Sequence, residues 1–390
     1  MNIAVVGGGL AAAKAIEELR AQGCRDSITL VGSEPDLPYE RPPLSKGLLL
    51  GSDRPESVFV HDRQWYDEQE VELRLGAPVT DIDLGLRRIQ VGGASLPYDR
   101  LLIATGAVPR RLPVLDTTGL EVVYLRRLED ALTLKDNLAG RVLIVGAGWI
   151  GLEVAAAARQ AGADVTVVES ARLPLLGALG PELGSLFADL HRGHGVDLRT
   201  ATSVAAVDGG TVVLSDGSRL QPDLVVAGIG AAPDDRLAAR AGLATDNGVL
   251  ADARLRTSDP AVHTAGDVAN HDHPALGRIR VEHWDNAIQQ GRHAARSLLG
   301  DDAPYIRLPY FFTDQYDLGM EYVGHVAGDA ELVVRGDLRF RVVTAFWIRD
   351  DTVVAGMHVN DWDAIEPIRR IVGSPVDPRL RDPETDLSDI

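Results

Sequence analysis

"IAVVGGGLAAAKAIEELRAQG" (residues 3–23) opens with a short apolar run, turns through three glycines and continues in a helical pattern. "RVLIVGAGWIGLEVAAAARQAG" (141–162) repeats that plan further along the chain. A strand buried on both faces of a parallel sheet reads as such a continuous apolar run, and the helix that crosses back follows at once. Gly146, Gly148 and Gly151 give the second copy the full G-x-G-x-x-G spacing, while the first keeps Gly7 and Gly9 and has Ala12 in third place. The first glycine makes a tight turn, the second lets backbone approach a pyrophosphate, and the third lets helix pack close on strand. A helix N-terminus then offers unpaired N–H groups and partial positive charge to the phosphates. Each copy is followed by a strand that ends at an acid: "SITLVGSE" at Glu34 and "DVTVVE" at Glu169. A carboxylate there accepts hydrogen bonds from a ribose 2′-hydroxyl. Two such units predict an α/β protein with two Rossmann-like dinucleotide-binding domains.

Bulk properties fit that class. A chain of 390 residues is long enough for two or three domains. Its formal charge of −18 argues against a nucleic-acid binder, though not against a local basic patch for an acidic partner. Cys24 is the only cysteine, which excludes a Cys-X-X-Cys redox pair or an intrachain disulfide. The apolar run near 142–158 contains Glu153 and glycines, so it reads as a buried βα unit and not a membrane span. "MNIAVVGGG" enters a strand with no signal-like start, so a cytoplasmic location is expected.

Smaller features punctuate the rest. "LLIATG" (101–106) is a strand that stops at Thr105-Gly106, and "TVVLSDGSRL" (211–220) is a hairpin about an Asp-Gly turn. "AVHTAGDVAN" (261–270) predicts a strand, then Gly266-Asp267 heading a helix, and "NHDHPALG" (270–277) predicts a loop. His263, His271, His273 and His283 form a loose cluster without metal-ligand spacing, so no metal is expected. "GMEYVGH" and "RFRVVTAFWIRDDTVVAGMHV" (339–359) predict alternating strands, and the acidic tail from Asp377 a loosely packed or disordered end. "PYERPPLSKG" (38–47) is a stiff arm of three prolines that carries Arg41 and Lys46, one of only three lysines.

The glycine turns, "PYERPPLSK", "LLIATG", "GAGWIGLE", "VVAGIGAAPD", "TSDPAVHTAGDVA" and "PYFFTDQYDLGMEYVG" together resemble the FAD-dependent NADH:ferredoxin reductases of the glutathione-reductase fold. That resemblance implies a discontinuous FAD domain (1–111 and 236–307), an inserted NAD domain (112–235) and a small C-terminal α/β domain (308–390). It implies FAD contacts at Gly7, Gly9, Ala11, Ser33, Glu34, Arg41, Lys46, Val79, Thr105, Gly106, Arg126, Asp267 and Trp284. For NAD it implies Gly146, Gly148, Ile150, Gly151, Glu153, Glu169 and Gly230. Lys46 and Glu153 are the implied catalytic pair, the lysine beside the isoalloxazine and the acid near the nicotinamide.

The implied activity is hydride transfer from NADH to FAD, then single-electron delivery to a ferredoxin serving a cytochrome P450 or a Rieske-type oxygenase. NADH is expected over NADPH, because Glu169 would repel a 2′-phosphate. The chain is expected to be a monomer or weak dimer with no nucleic-acid or membrane partner. Arg292, Arg296 and Arg307 are candidates for the ferredoxin dock. Alternative readings are an NADH oxidase or diaphorase acting on quinone or oxygen, and an NADH-sensing binding protein like apoptosis-inducing factor.

Overall fold

A computed structural model of the chain describes residues 1–116 and 119–390. Two compact units form. The first comprises Met1–Glu40, Glu56–Val108 and Ala232–Pro309, the second Arg41–Pro55, Pro109–Ala231 and Tyr310–Ile390.

In the first unit the opening apolar run is the strand Asn2–Val6, central in a five-stranded parallel sheet. The order is Val262–Thr264, Arg100–Ile103, Asn2–Val6, Ser27–Val31, Val71–Arg74. Ile3 and Val5 pack with Ile16 and Leu19 of the helix Leu10–Ala21, while Ala4 and Val6 pack with Ile82, Ile89 and Val91 on the opposite face. Both faces are covered, which is why the strand shows no polar alternation. The helix Leu10–Ala21 lies close against the helix Trp284–Leu298 at Gly291, where an added Cβ would sit 2.3 Å from the Ala11 carbonyl oxygen.

Two expectations fail after Gly266. No helix starts at Asp267: the strand Ala269–His273 follows, and it pairs antiparallel with Gly277–Arg280. The expected loop 270–277 is thus mostly hairpin. Burial explains the change, since His271 and His273 point inward and Asp272 outward with the two-residue period of a strand. The Ala275 and Leu276 amides donate to His273 Nδ1, each at 3.2 Å, and close the turn.

His263 and His271 end up in the interior. His263 Nε2 lies 3.0 Å from Ser297 Oγ, and His271 Nδ1 accepts from Gln290 Nε2 at 3.2 Å. Burial pushes both pKa values down from 6.5 to about 4, so the folded protein keeps these rings neutral at neutral pH. The unfolded chain therefore binds more protons between pH 6.5 and about 4, and the stabilisation present above that window is lost as pH falls through it. At about pH 5 each ring should cost about 2 kcal/mol relative to neutral pH. Urea titrations at pH 7.5 and pH 5 should show that loss, and a His271→Gln variant should show a smaller one.

The second unit repeats the parallel plan with strand order Asp197–Arg199, Asp164–Val168, Arg141–Val145, Leu224–Ala227, Val122–Val123. The hairpin expected at 211–220 is present, with Val212 opposite Leu220. From Tyr310 onward comes a five-stranded antiparallel sheet ordered Tyr310–Gln315, Leu318–Gly324, Thr352–Val359, Val342–Arg349, Glu331–Asp337. The three central strands are buried almost continuously instead of alternating, from Val343 through Ile348 for example. Both faces are occupied: Ile368 of the helix Ile365–Ile371 lies against Gly356, and Trp149 meets Phe311 edge-on at 5.0 Å.

The acidic tail is also ordered, against expectation. Leu380 is fully buried, and the Arg335 guanidinium donates to the carbonyl oxygens of Leu380, Pro383 and Thr385. A buried arginine needs acceptors, and the tail backbone supplies them. Among the described residues no helix is long and apolar enough to cross a membrane.

Candidate functional site: two glycine turns and a buried ion pair

Gly7 and Gly146 make the same turn. Their φ values are +115° and +102°, and a Cβ would lie 2.0 Å from the Ala104 carbonyl oxygen in one case and 2.5 Å from that of Gly228 in the other. Only glycine tolerates both the angle and the approach. Gly9 and Gly148 then head the helices Leu10–Ala21 and Trp149–Gln160 in extended conformation. Neither N-terminus has a side-chain cap or an acid in its first turn, and a Cβ at either glycine would meet nothing within 4 Å. By contrast, the helix Arg63–Glu68 is capped by Asp62, which accepts from the Trp65 amide at 2.8 Å. Open space before unfilled N–H groups suits an anionic pyrophosphate, and both turns offer it.

The acids close these turns from the side. Glu169 accepts from the amides of Ala147 and Ala171, each at 2.7 Å, so it braces the second glycine turn as well as presenting a carboxylate at the strand end. Glu34 accepts from Tyr39 Oη at 2.5 Å beside exposed Ser33. Gly151 belongs to the packing of its turn, since a Cβ there would lie 2.1 Å from the Gly146 carbonyl oxygen. Ile150 is exposed next to it. Gly230, with φ +96°, accepts from the Arg110 amide at 2.9 Å.

The remaining predicted FAD residues divide between the two units. Gly7, Gly9, Ala11, Ser33, Glu34, Val79, Thr105, Gly106, Asp267 and Trp284 fall in the first; Arg41, Lys46 and Arg126 fall in the second. Ala11 is buried with its Cβ towards Gly266, and Val79 begins the strand Val79–Asp83. Thr105 Oγ1 donates to the Asp234 carbonyl at 2.7 Å, while the Gly106 carbonyl accepts from the Asp234 amide at 2.9 Å. Asp267 sits in a turn and Trp284 begins the helix Trp284–Leu298. In the second unit the Arg41 guanidinium donates to the Arg126 carbonyl, and the Arg126 amide donates to Asp130 Oδ2 at 3.0 Å.

The proline arm ends in a buried charge pair. Pro42–Ser45 is a 3₁₀ turn, and its successor Lys46 heads the short helix Gly47–Leu50. Lys46 Nζ lies 2.8 Å from Glu153 Oε1 and 5.3 Å from the centre of the Phe312 ring. Glu153, only 4% exposed, also accepts from Ser45 Oγ at 2.5 Å and Thr313 Oγ1 at 2.6 Å. Hydroxyls and ammonium together meet the acceptor demand of a buried carboxylate, which would otherwise be costly. Asp314 stands close by; burial holds its pKa above the usual carboxylate range, and the Lys46 charge opposes that shift.

Sequence reading selected Lys46 and Glu153 but missed Ser45 and Thr313. The signal was present in the adjacency of Ser45 to Lys46 and in the polar run "TDQ" (313–315) that ends the strand Tyr310–Gln315. The candidate docking arginines are all paired: Arg292 with Glu17 at 3.1 Å, Arg296 with Glu18 at 3.0 Å, Arg307 with Asp285 at 2.9 Å. Cys24 is buried just beyond the helix Leu10–Ala21, with Sγ 3.7 Å from Asp26 Oδ2.

Comparison with known proteins matches this architecture along the whole chain. Residues 1–291 match the pyridine nucleotide-disulphide oxidoreductase family, and 310–390 match the reductase C-terminal family. The ferredoxin–NAD(+) reductase component of the anthranilate 1,2-dioxygenase system of Burkholderia cepacia is 40% identical, over 98% of this chain and 97% of the relative. Putidaredoxin reductase of Pseudomonas putida is 36% identical, over 97% and 94%. The crystal structure of the covalent putidaredoxin reductase–putidaredoxin complex superposes with a TM-score of 0.96 at 35% identity, covering 100% of this chain and 97% of the other. The chain therefore belongs to the pyridine nucleotide-disulphide oxidoreductase family, in its branch of FAD-dependent ferredoxin reductases.

Proposed function

We propose that this protein is an NADH:ferredoxin oxidoreductase that takes hydride onto FAD and passes electrons singly to a ferredoxin serving a cytochrome P450 or Rieske-type oxygenase. The carrying observation is the cysteine content: Cys24 is the only cysteine and lies buried, and the arm beside the ion pair holds Leu44, Ser45 and Lys46. With no internal thiol couple to receive an electron pair, the exits left are an external one-electron carrier or oxygen, and the likeness to ferredoxin reductases favours the carrier. When bound, the isoalloxazine supplies the conversion between two-electron and one-electron chemistry.

This chain's residues supply position and field. Gly7, Gly9 and Ala11 receive the FAD pyrophosphate on the helix N-terminus, with Ser33 and Glu34 at its ribose. Val79, Thr105, Gly106, Arg126, Asp267 and Trp284 line the rest, and Arg41 adds positive charge towards the phosphates. Gly146, Gly148, Ile150, Gly151 and Gly230 receive NADH. Lys46, held by Glu153 and stiffened by Pro42 and Pro43, is a preorganised cation that stabilises developing negative charge without reorienting. FAD-binding segments 1–111 and 236–307, the NAD-binding segment 112–235 and the C-terminal domain 308–390 form the domain plan. A cytoplasmic monomer or weak dimer completes the reading.

The deciding assay is steady-state cytochrome c reduction with NADH, with and without added ferredoxin. Reduction that depends on ferredoxin supports the proposal. Rapid direct oxygen or quinone use would favour an oxidase or diaphorase, and very slow flavin reduction with a persistent NADH complex would favour a sensing protein.

Glu169 should set the nucleotide preference, because a carboxylate near the ribose meets the NADPH phosphate with like charge. Glu169→Gln should lower the ratio of kcat/KM for NADH over NADPH by about tenfold, measured with ferricyanide as acceptor. An unchanged ratio would remove Glu169 from that role.

A further inference from the structure

Beyond Glu153 the buried polar groups continue. Gln315 Nε2 donates to Thr313 Oγ1 at 3.1 Å, and Gln315 Oε1 lies 2.8 Å from His191 Nε2 in the helix Leu176–Gly193. Thr313, Gln315 and His191 are all at most 1% exposed, and nothing in the proposed chemistry uses them. We infer that Thr313, Gln315 and His191 form a one-directional hydrogen-bond chain that positions Glu153 as the acceptor for Lys46. This rests on the reading of Lys46 and Glu153 as the pair beside the flavin.

The direction follows from donor counting. Glu153, facing Lys46 and the Ser45 hydroxyl, accepts on both oxygens, so the Thr313 proton is spent on Oε1. Thr313 Oγ1 must then accept from Gln315, which fixes that amide with its NH₂ towards Thr313 and its oxygen towards His191. His191 must accordingly carry its proton on Nε2, leaving Nδ1 bare, and Nδ1 has no partner among the described residues. A proton on Glu153 that pointed at Thr313 would force the threonine hydrogen to turn away from both of its present partners. The chain therefore holds the threonine donor aimed at Glu153 through oriented dipoles alone.

Among the described residues, the charged and titratable groups facing this line are Lys46 from the arm, Asp314 and Glu321 from the C-terminal sheet, and His194 beside His191. Burial keeps His191 neutral, with the Gln315 bond opposing that shift. The edge of Tyr316 lies 5.3 Å from the His191 ring.

Two measurements on the holoenzyme test this. In stopped-flow reduction by NADH across about pH 5 to 9, Thr313→Val should slow the hydride step about tenfold, the worth of one bond to a charged group. It should also change the pH profile of that step, because the carboxylate facing Lys46 loses a fixed donor. Gln315→Leu should show the same change. His191→Leu should too, and His191→Gln, which replaces the Nε2 donor, should restore the parent profile.

The second measurement does not depend on turnover. In ¹⁵N–¹H spectra of histidine-labelled holoenzyme, His191 should be the Nε2–H tautomer, and Glu153→Gln should shift its Nε2–H signal across the two intervening side chains. A Thr313→Val profile that superimposes on the parent, or an Nδ1–H tautomer at His191, overturns the chain. If Glu153→Gln leaves flavin reduction unchanged, the catalytic reading of the pair fails, while the tautomer and the Glu153-dependent shift still decide the chain.

Discussion

Replacing Lys46 with methionine should slow flavin reduction by NADH by about 10² to 10³-fold, the usual cost of removing one preorganised donor from a water-poor site. The same change should destabilise the protein by about 3–5 kcal/mol, because it leaves a buried carboxylate without its counter-charge. Ser45 and Thr313 would still donate to Glu153, but neither carries charge. The two effects separate in the double variant. Lys46→Met with Glu153→Gln removes both charges, so stability should return to near the parent while the rate stays low. Stopped-flow absorbance and urea titration read the two quantities. A Lys46→Met protein that reduces at the parental rate would contradict the role assigned to the arm.

The next largest effects should come from two glycines in one turn, with opposite signatures. Gly7→Ala places a methyl 2.0 Å from the Ala104 carbonyl oxygen at φ +115°, next to the central strand of the first sheet. Backbone strain and a backbone clash together should cost about 3 kcal/mol or more, enough to yield little folded protein. Gly9→Ala meets nothing within 4 Å, so the apoprotein should melt within about 2 °C of the parent. Its methyl would instead enter the open space proposed for the pyrophosphate, and FAD affinity should fall by about tenfold or more. Thermal melts of the apoproteins and flavin fluorescence titration distinguish the cases. Equal loss of stability in both variants would mean that Gly9 is needed for the fold and not for the ligand.

The βα units were legible in the sequence because their signals are local. An apolar run, a glycine turn and a helix need no distant partner to be recognised, and Asn2–Val6 with Leu10–Ala21 fall where the pattern put them. The hairpin at 211–220 was readable for the same reason. What failed depended on tertiary cover. The segment after Gly266 became a strand because its histidines have an interior to enter, and the acidic tail is held by Arg335, more than forty residues away in sequence.

Within the site, Lys46 and Glu153 were found through a motif. Ser45, Thr313, Gln315 and His191 were not, since each is an ordinary polar residue until the fold brings them together in one buried line. Likewise Glu169 was read as a ribose acid, and its bracing of the glycine turn through two amides is visible only in three dimensions.

The visible spectrum of the purified protein, recorded anaerobically before and after one equivalent of NADH, tests the central claim most directly. An oxidised flavin spectrum that bleaches at once is the predicted result. A protein that stays colourless after incubation with excess FAD, or whose flavin colour persists with NADH, would contradict it.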